Sequence, residues 1–178
     1  MRPDQRVRQA CARWGEAAVV RGCADLLRPG QVVEGQLLDL VMVLGELTDR
    51  DFLKTGKPPG HAYWARVWGA RALLYAWTDE AAPTVVAALR DEQWRVREMA
   101  AKVVVVRELA EGADALADRL GDPVPRVRIA AAHALAAVGE SEHGAALRTL
   151  RDDPEPRVAA AGLTALRVLS RRLDRVLD

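Results

Sequence analysis

Four stretches of the chain repeat at a spacing of 31 residues, and this period limits the fold more than any other feature. Ala65, Val96, Val127 and Val158 mark position zero of successive units. Arg66, Arg97 and Arg128 then fall at plus one, where the fourth unit has Ala159. Asp91, Asp122 and Asp153 fall at minus five, where the first unit has Gly60; Val85, Leu116 and Leu147 fall at minus eleven. Self-similarity at a period of a few tens of residues signals a solenoid. The core of such a fold is a strip continued between neighbouring repeats. Such a fold usually offers a surface to a partner instead of housing chemistry.

Within each unit the apolar residues recur at 0, +3, +4, +7, +8 and +11, which is one face of a helix. In the third unit these are Val127, Ala130, Ala131, Ala134, Leu135 and Val138; in the fourth, Val158, Ala161, Gly162, Ala165, Leu166 and Leu169. The first unit reads Ala65, Trp68, Gly69, Ala72, Leu73 and Ala76, while the second breaks at Arg107. The prevalence of small residues predicts closely packed helices. A shorter helix is expected before each of the last three, at about 80–90, 113–120 and 141–151. Asp122-Pro123 and Asp153-Pro154 mark turns. Pro125 and Pro156 suit a first helical turn, where a missing N–H costs nothing.

The Asp-x-x-x-x-Val-Arg turn followed by an Ala-rich helix resembles HEAT repeats, in the short form named after bacterial phycobilisome lyase subunits. The resemblance spans roughly residues 62–170. It implies an all-α fold: an α-solenoid of helical hairpins in a right-handed superhelix, with the second helix of each pair lining a concave groove. Residues 1–61 do not keep the period. Two helices are expected there, at about 4–27 and 31–48, parted by Arg28-Pro29-Gly30. Solenoids need atypical ends, so 1–61 is expected to be an N-terminal two-helix cap and linker, and 62–178 one continuous repeat array. The first helix would carry a stripe of Val7, Cys11, Trp14 and Ala18.

Half of the 178 residues are hydrophobic, which excludes a disordered chain. Twenty-six Lys and Arg balance 25 Asp and Glu, for a net charge of +1, which argues against bulk DNA binding. Only Lys54, Lys57 and Lys102 are lysines; with abundant Ala, Val and Gly this usage fits a GC-rich bacterial genome. Cys11 and Cys23, read as lying on one helix about 18 Å apart, would be reduced core residues. The N-terminus lacks a signal-peptide core. The apolar run Leu37 to Leu44 is interrupted by Asp39 and too short to span a bilayer. A cytoplasmic protein with no membrane partner is expected.

Several constellations invite a functional reading. Arg66, Arg97 and Arg128 could hold phosphates, but pairing with the turn aspartates in a structural ladder is the expected role. At plus six lie Arg71, Lys102, His133 and Thr164, away from the core stripe. Flanked by Ala70, Leu74, Ala101, Val105, Ala132, Ala136 and Leu163, they would form a basic rail in an apolar groove suited to an acidic peptide. The opposing reading is a solvated face with Ala chosen for helix propensity.

Tyr63, Trp64 and Trp94 are candidate aromatic anchors, although core or rim packing is the expected account of them. Lys54 to His61 has neither the glycine spacing nor the preceding strand of a phosphate loop and reads as a linker. His61, His133 and His143 have no Cys at metal-ligand spacing, and no catalytic set or cofactor is implied. The expected function is therefore a non-enzymatic scaffold binding a protein or acidic peptide in the groove. The alternative is nucleic-acid binding akin to the HEAT-like alkylpurine DNA glycosylases. Their Trp-x-x-x-Asp pairing is missing, since the fourth residue after Trp64 is Trp68. A lyase role rests on the shared repeat name alone.

Overall fold

The computed structural model describes residues 1–50 and 62–177. Lys54 to His61 and most of the expected linker lie outside the described residues. Every regular element among the described residues is helical, and the chain divides into two compact units, Met1–Ala88 and Leu89–Asp178.

The first unit contains α1 (Pro3–Trp14), α2 (Glu16–Leu26), α3 (Gly35–Gly45), α4 (Tyr63–Ala72) and, after a 3₁₀ turn at Asp79–Ala81, α5 (Ala82–Ala88). The expected single helix over 4–27 is two helices. Gly15, at φ +83°, ends one and begins the next, a conformation that favours glycine. The break changes which residues face inward. Val7 and Ala10 of α1 and Val19, Val20, Cys23 and Leu26 of α2 are buried, whereas Cys11, Trp14 and Ala18 are only half-buried.

The straight-helix separation of the two cysteines no longer applies. Both are free thiols. Burial raises the Cys11 and Cys23 pKa values, most strongly at Cys23. The helix expected over 31–48 is shorter, and Val32 lies outside it, 65% exposed. Helix α4 packs on both α2 and α3. Leu26, Val41 and Ala65 form the centre of this unit, with Val33, Leu37, Leu47 and Trp68 packed around them.

The second unit keeps the period. Its long helices are α6 (Trp94–Arg107), α8 (Pro125–Val138) and α10 (Pro156–Leu173); α7 (Ala113–Arg119) and α9 (His143–Arg148) are the short ones. A 3₁₀ turn at Ala110–Gly112 leads into α7, and another at Thr149–Asp152 extends α9. Helix α8 packs against α6, α7 and α10, and α9 packs against α10 and α7. Two helical hairpins, α7–α8 and α9–α10, thus stack side by side. Pro125 and Pro156 start their helices as expected.

All six core positions of the third and fourth units are buried. Fully burying a residue such as Leu135 or Leu169 contributes about 1.5–3 kcal/mol. Helices α6 and α10 end in left-handed Glu108 (φ 52°) and Asp174 (φ 50°). The next backbone N–H then closes each helix, Leu109 N to Val104 O at 3.1 Å and Arg175 N to Ser170 O at 3.0 Å.

The small residues of the pattern set how closely the two helices of a hairpin approach. A Cβ on Gly162 would lie 2.6 Å from the Leu150 Cβ and 3.4 Å from the Leu147 carbonyl oxygen. Neither neighbour is the free end of a side chain, so α9 and its 3₁₀ extension would have to move away from α10. Gly162→Ala should therefore lower unfolding stability by about 1–3 kcal/mol, read as a lower denaturation midpoint in urea with unchanged helical circular dichroism.

Candidate interaction surface

The turn into each long helix is built the same way. Oδ1 of Asp91, Asp122 and Asp153 accepts the backbone N–H two residues on, from Gln93 (2.8 Å), Val124 (2.9 Å) and Glu155 (2.9 Å). Short Asp side chains favour such local turns. Two of these carboxylates, those of Asp122 and Asp153, also receive the plus-one arginine of the preceding repeat. Arg97 Nε and Nη2 donate to Asp122 Oδ2 and Oδ1 at 2.7 and 2.9 Å. Its Nη1 donates to the carbonyls of Asp91 and Glu92 at 2.8 and 3.0 Å. Arg128 repeats the pattern one unit on. Its Nη1 donates to the Asp122 carbonyl at 2.7 Å, and its Nη2 to Asp153 Oδ1 at 2.9 Å.

Arg97 and Asp122 are buried, 7% and 3% exposed, so this pair is unavailable to phosphate. The structural ladder read from the sequence is present in the second unit. Arg128, then the Glu155 N–H, holds the Asp153 carboxyl below its ordinary value.

The plus-six residues divide between the units. In the first, Arg71 is half-buried, and burial, then the nearby Arg6 charge, lowers its pKa. Leu74 is half-buried as well. In the second, Lys102, His133 and Thr164 are exposed. Lys102, Val105 and His133 line a shallow concavity of about 320 Å³ between α6 and α8, with an apolar floor that includes Val106 and Ile129. Lys102 is not a free cation. Its Nζ donates to Glu98 Oε1 at 2.9 Å, and Arg126 Nη2 reaches the same oxygen at 3.0 Å. Thr164 Oγ1 donates back to the Ala160 carbonyl of its own helix at 2.9 Å.

The alanines expected to flank the groove do not line it. Ala70, Ala101 and Ala132 are at most 1% exposed and Ala136 is 6% exposed. In the second unit the stacking of α6, α8 and α10 accounts for this. The plus-five face lies between long helices, where only a small side chain fits.

Sequence reasoning missed Glu98 and Arg126. The Glu98–Lys102 spacing of i, i+4 signals an ion pair on one helix, but nothing local shows that Arg126 reaches across from the next repeat.

The three candidate anchors are half-buried. Tyr63 stacks on Trp64 with ring centroids 5.4 Å apart, and Trp64 on Trp68 at 6.1 Å. Trp94 is covered by guanidinium groups, those of Arg95 at 4.3 Å and Arg126 at 5.4 Å from its ring centroid. His143 is buried; its Nδ1 accepts the Glu140 N–H at 2.9 Å, leaving Nε2 to donate to Asp114 at 3.3 Å. Among the described residues no group of three or more His, Cys, Asp and Glu is placed to hold a metal. No helix among them is long and apolar enough to cross a membrane.

Stacked helical hairpins with an Asp-closed turn before each long helix and arginine rungs joining successive turns define an α-helical repeat protein. Residues 105–167 match the family model of HEAT repeats, so this stretch of the chain carries HEAT repeats. Comparison with the curated proteins finds no match. HEAT repeats serve in general as non-enzymatic scaffolds for protein interaction.

Two outcomes follow from the ladder. Arg97→Ala leaves the buried Asp122 charge without its bidentate partner and should cost about 3–5 kcal/mol, measured by urea denaturation; the double change Arg97→Met/Asp122→Leu should cost less. For Asp153 the folded pKa is lowered, so its stabilisation is complete above the ordinary carboxyl value of 3.8 and is lost as pH falls through the folded value. Asp153→Asn should therefore flatten the fall in stability below about pH 4, seen in melting curves recorded across that range.

Proposed function

We propose that this chain is a non-enzymatic scaffold that holds a protein or acidic peptide through residues of the plus-six row: Lys102, His133 and Thr164, with Val105, in the second unit, and Arg71, with Leu74, in the first. The observation that supports this reading best is the concavity between α6 and α8. Val106, 52% exposed, and the half-buried Val105 and Ile129 offer apolar contact. Lys102 and Arg126 share the single Glu98 carboxylate, which leaves one net positive charge beside that floor. An apolar floor edged by a weak positive charge matches a peptide presenting apolar side chains and a few carboxylates.

The test is affinity capture from lysate with mass spectrometry, comparing wild type with Arg71→Glu/Lys102→Glu and treating half of each sample with nuclease. Protein partners should be held by wild type, survive nuclease and be lost in the variant. Partners lost with nuclease would replace this reading with nucleic-acid binding. Partners unchanged in every arm would move the binding surface elsewhere.

A further inference from the structure

The stacking face of the long helices has a different chemistry on the last of them. At plus five, Ala101 of α6 and Ala132 of α8 are buried, and the equivalent residue of α10 is Leu163, 40% exposed. At plus nine, Val105 and Ala136 give way to Arg167. Helix α10 therefore presents the side on which another repeat would stack, but with a large apolar residue and a cation in place of small residues. Leu163, Leu166, Arg167, Ser170, Arg171 and Asp174 follow one another at helical spacing along this side. With Arg151 from the preceding 3₁₀ turn and Arg175 beyond the helix, they line a groove of about 540 Å³.

Charge separates this groove from the concavity between α6 and α8. Among the described residues no ion pair involves Arg151, Arg167, Arg171 or Arg175; Arg167 Nε donates to the Leu163 carbonyl of its own helix at 3.3 Å, and Asp174 is the one acid in the lining. The chain after α10 is held in place: Arg148 Nη1 donates to the Leu177 carbonyl at 2.8 Å, and the Leu177 side chain packs over Gly144. From Leu163 to Asp174 the stripe runs about 16 Å, three helical turns.

We propose that this face of α10 docks an acidic amphipathic helix of a partner protein, which stacks on it as an additional repeat helix would. Apolar side chains of the incoming helix meet Leu163, 40% exposed, and its carboxylates meet the four arginines, each carboxylate able to accept two parallel N–H donors. A second copy of this chain fits poorly, since a symmetric contact would set the arginines against one another. Nucleic acid would satisfy the arginines and leave Leu163 without a role.

The probe is an end-blocked, fluorescein-labelled peptide of about 15 residues, long enough for about four helical turns, with leucines every three to four positions and glutamates between. Fluorescence anisotropy is read against wild type, Arg167→Glu/Arg171→Glu, Arg167→Gln/Arg171→Gln, Leu163→Ser and Arg71→Glu/Lys102→Glu, all confirmed folded by circular dichroism. Control ligands are a scrambled peptide, a Lys-for-Glu peptide and a single-stranded DNA of similar length.

Wild type should bind the Leu/Glu peptide and none of the controls comparably. Kd should rise about tenfold, equivalent to 1.4 kcal/mol, in the Glu pair and in Leu163→Ser, and less in the Gln pair. It should be unchanged in Arg71→Glu/Lys102→Glu. No binding by wild type, or binding indifferent to Arg167 and Arg171, overturns the proposal. So does equal affinity for the scrambled peptide or for DNA. Loss confined to Arg71→Glu/Lys102→Glu also overturns it, and assigns the peptide to the plus-six row instead.

Discussion

The rung formed by Arg97 and Asp122 is the interaction on which the second unit depends. Removing a guanidinium and a carboxylate from water is expensive, and mutual attraction repays this only when the remaining donors and acceptors are also satisfied. Here they are engaged by more than each other. Arg97 also holds two carbonyls of its own turn, and Asp122 also holds the Val124 N–H of the next. One side-chain pair therefore fixes the entry of α6, the entry of α8 and the offset between them. Arg128 repeats this with Asp153. The rung explains why the period is kept so strictly. An insertion between position 97 and position 122 would pull a charged residue away from its partner inside the protein.

With the register held at the turns, the helices can pack through small residues. Alanine at plus five lets neighbouring long helices approach, and Ala131 and Gly162, equivalent in the repeat, let the short helix of each hairpin lie close to the long one. Such packing leaves little room for adjustment, because protein interiors are close-packed and a single added methyl is felt. It also sorts the surfaces of a repeat. Positions at plus five that look exposed on a lone helix are interior once a second repeat is present, and they return to the surface only on the last helix of the stack.

The sequence made the second unit legible because its signals are periodic. The helix starts at Pro125 and Pro156, the short helices and the arginine ladder all follow from the spacing of 31. The first unit was harder to read. Apolar residues run on both sides of Gly15, so α1 and α2 look like one helix, and a glycine within a helical pattern is not by itself a break. The break depends on backbone direction, which is set by packing far along the chain. In the second unit the plus-six residues Lys102, His133 and Thr164 are exposed, but the alanines expected to flank the row are buried. A single helix has one buried face; a helix between two neighbours has more, and the alanines of the extra faces resemble those chosen for propensity. Glu98 and Arg126 escaped notice for the same reason, since their contact joins two repeats.

Charge then distinguishes surfaces that shape alone does not. Between α6 and α8 the cations are answered within the fold by Glu98, so any ligand arriving there must compete for Lys102 and Arg126 or rely on the apolar floor. On α10 the arginines point into a groove with one acid among four cations. Leaving like charges together is unfavourable in the isolated chain. It also discourages further neutral repeats from stacking, because alanine-lined helices would desolvate guanidinium groups without compensating them. The substitution of Arg167 for the small residues of earlier repeats thus acts in two directions. It keeps an apolar end face from associating indiscriminately, and it leaves that face selective for a helix that brings carboxylates of its own.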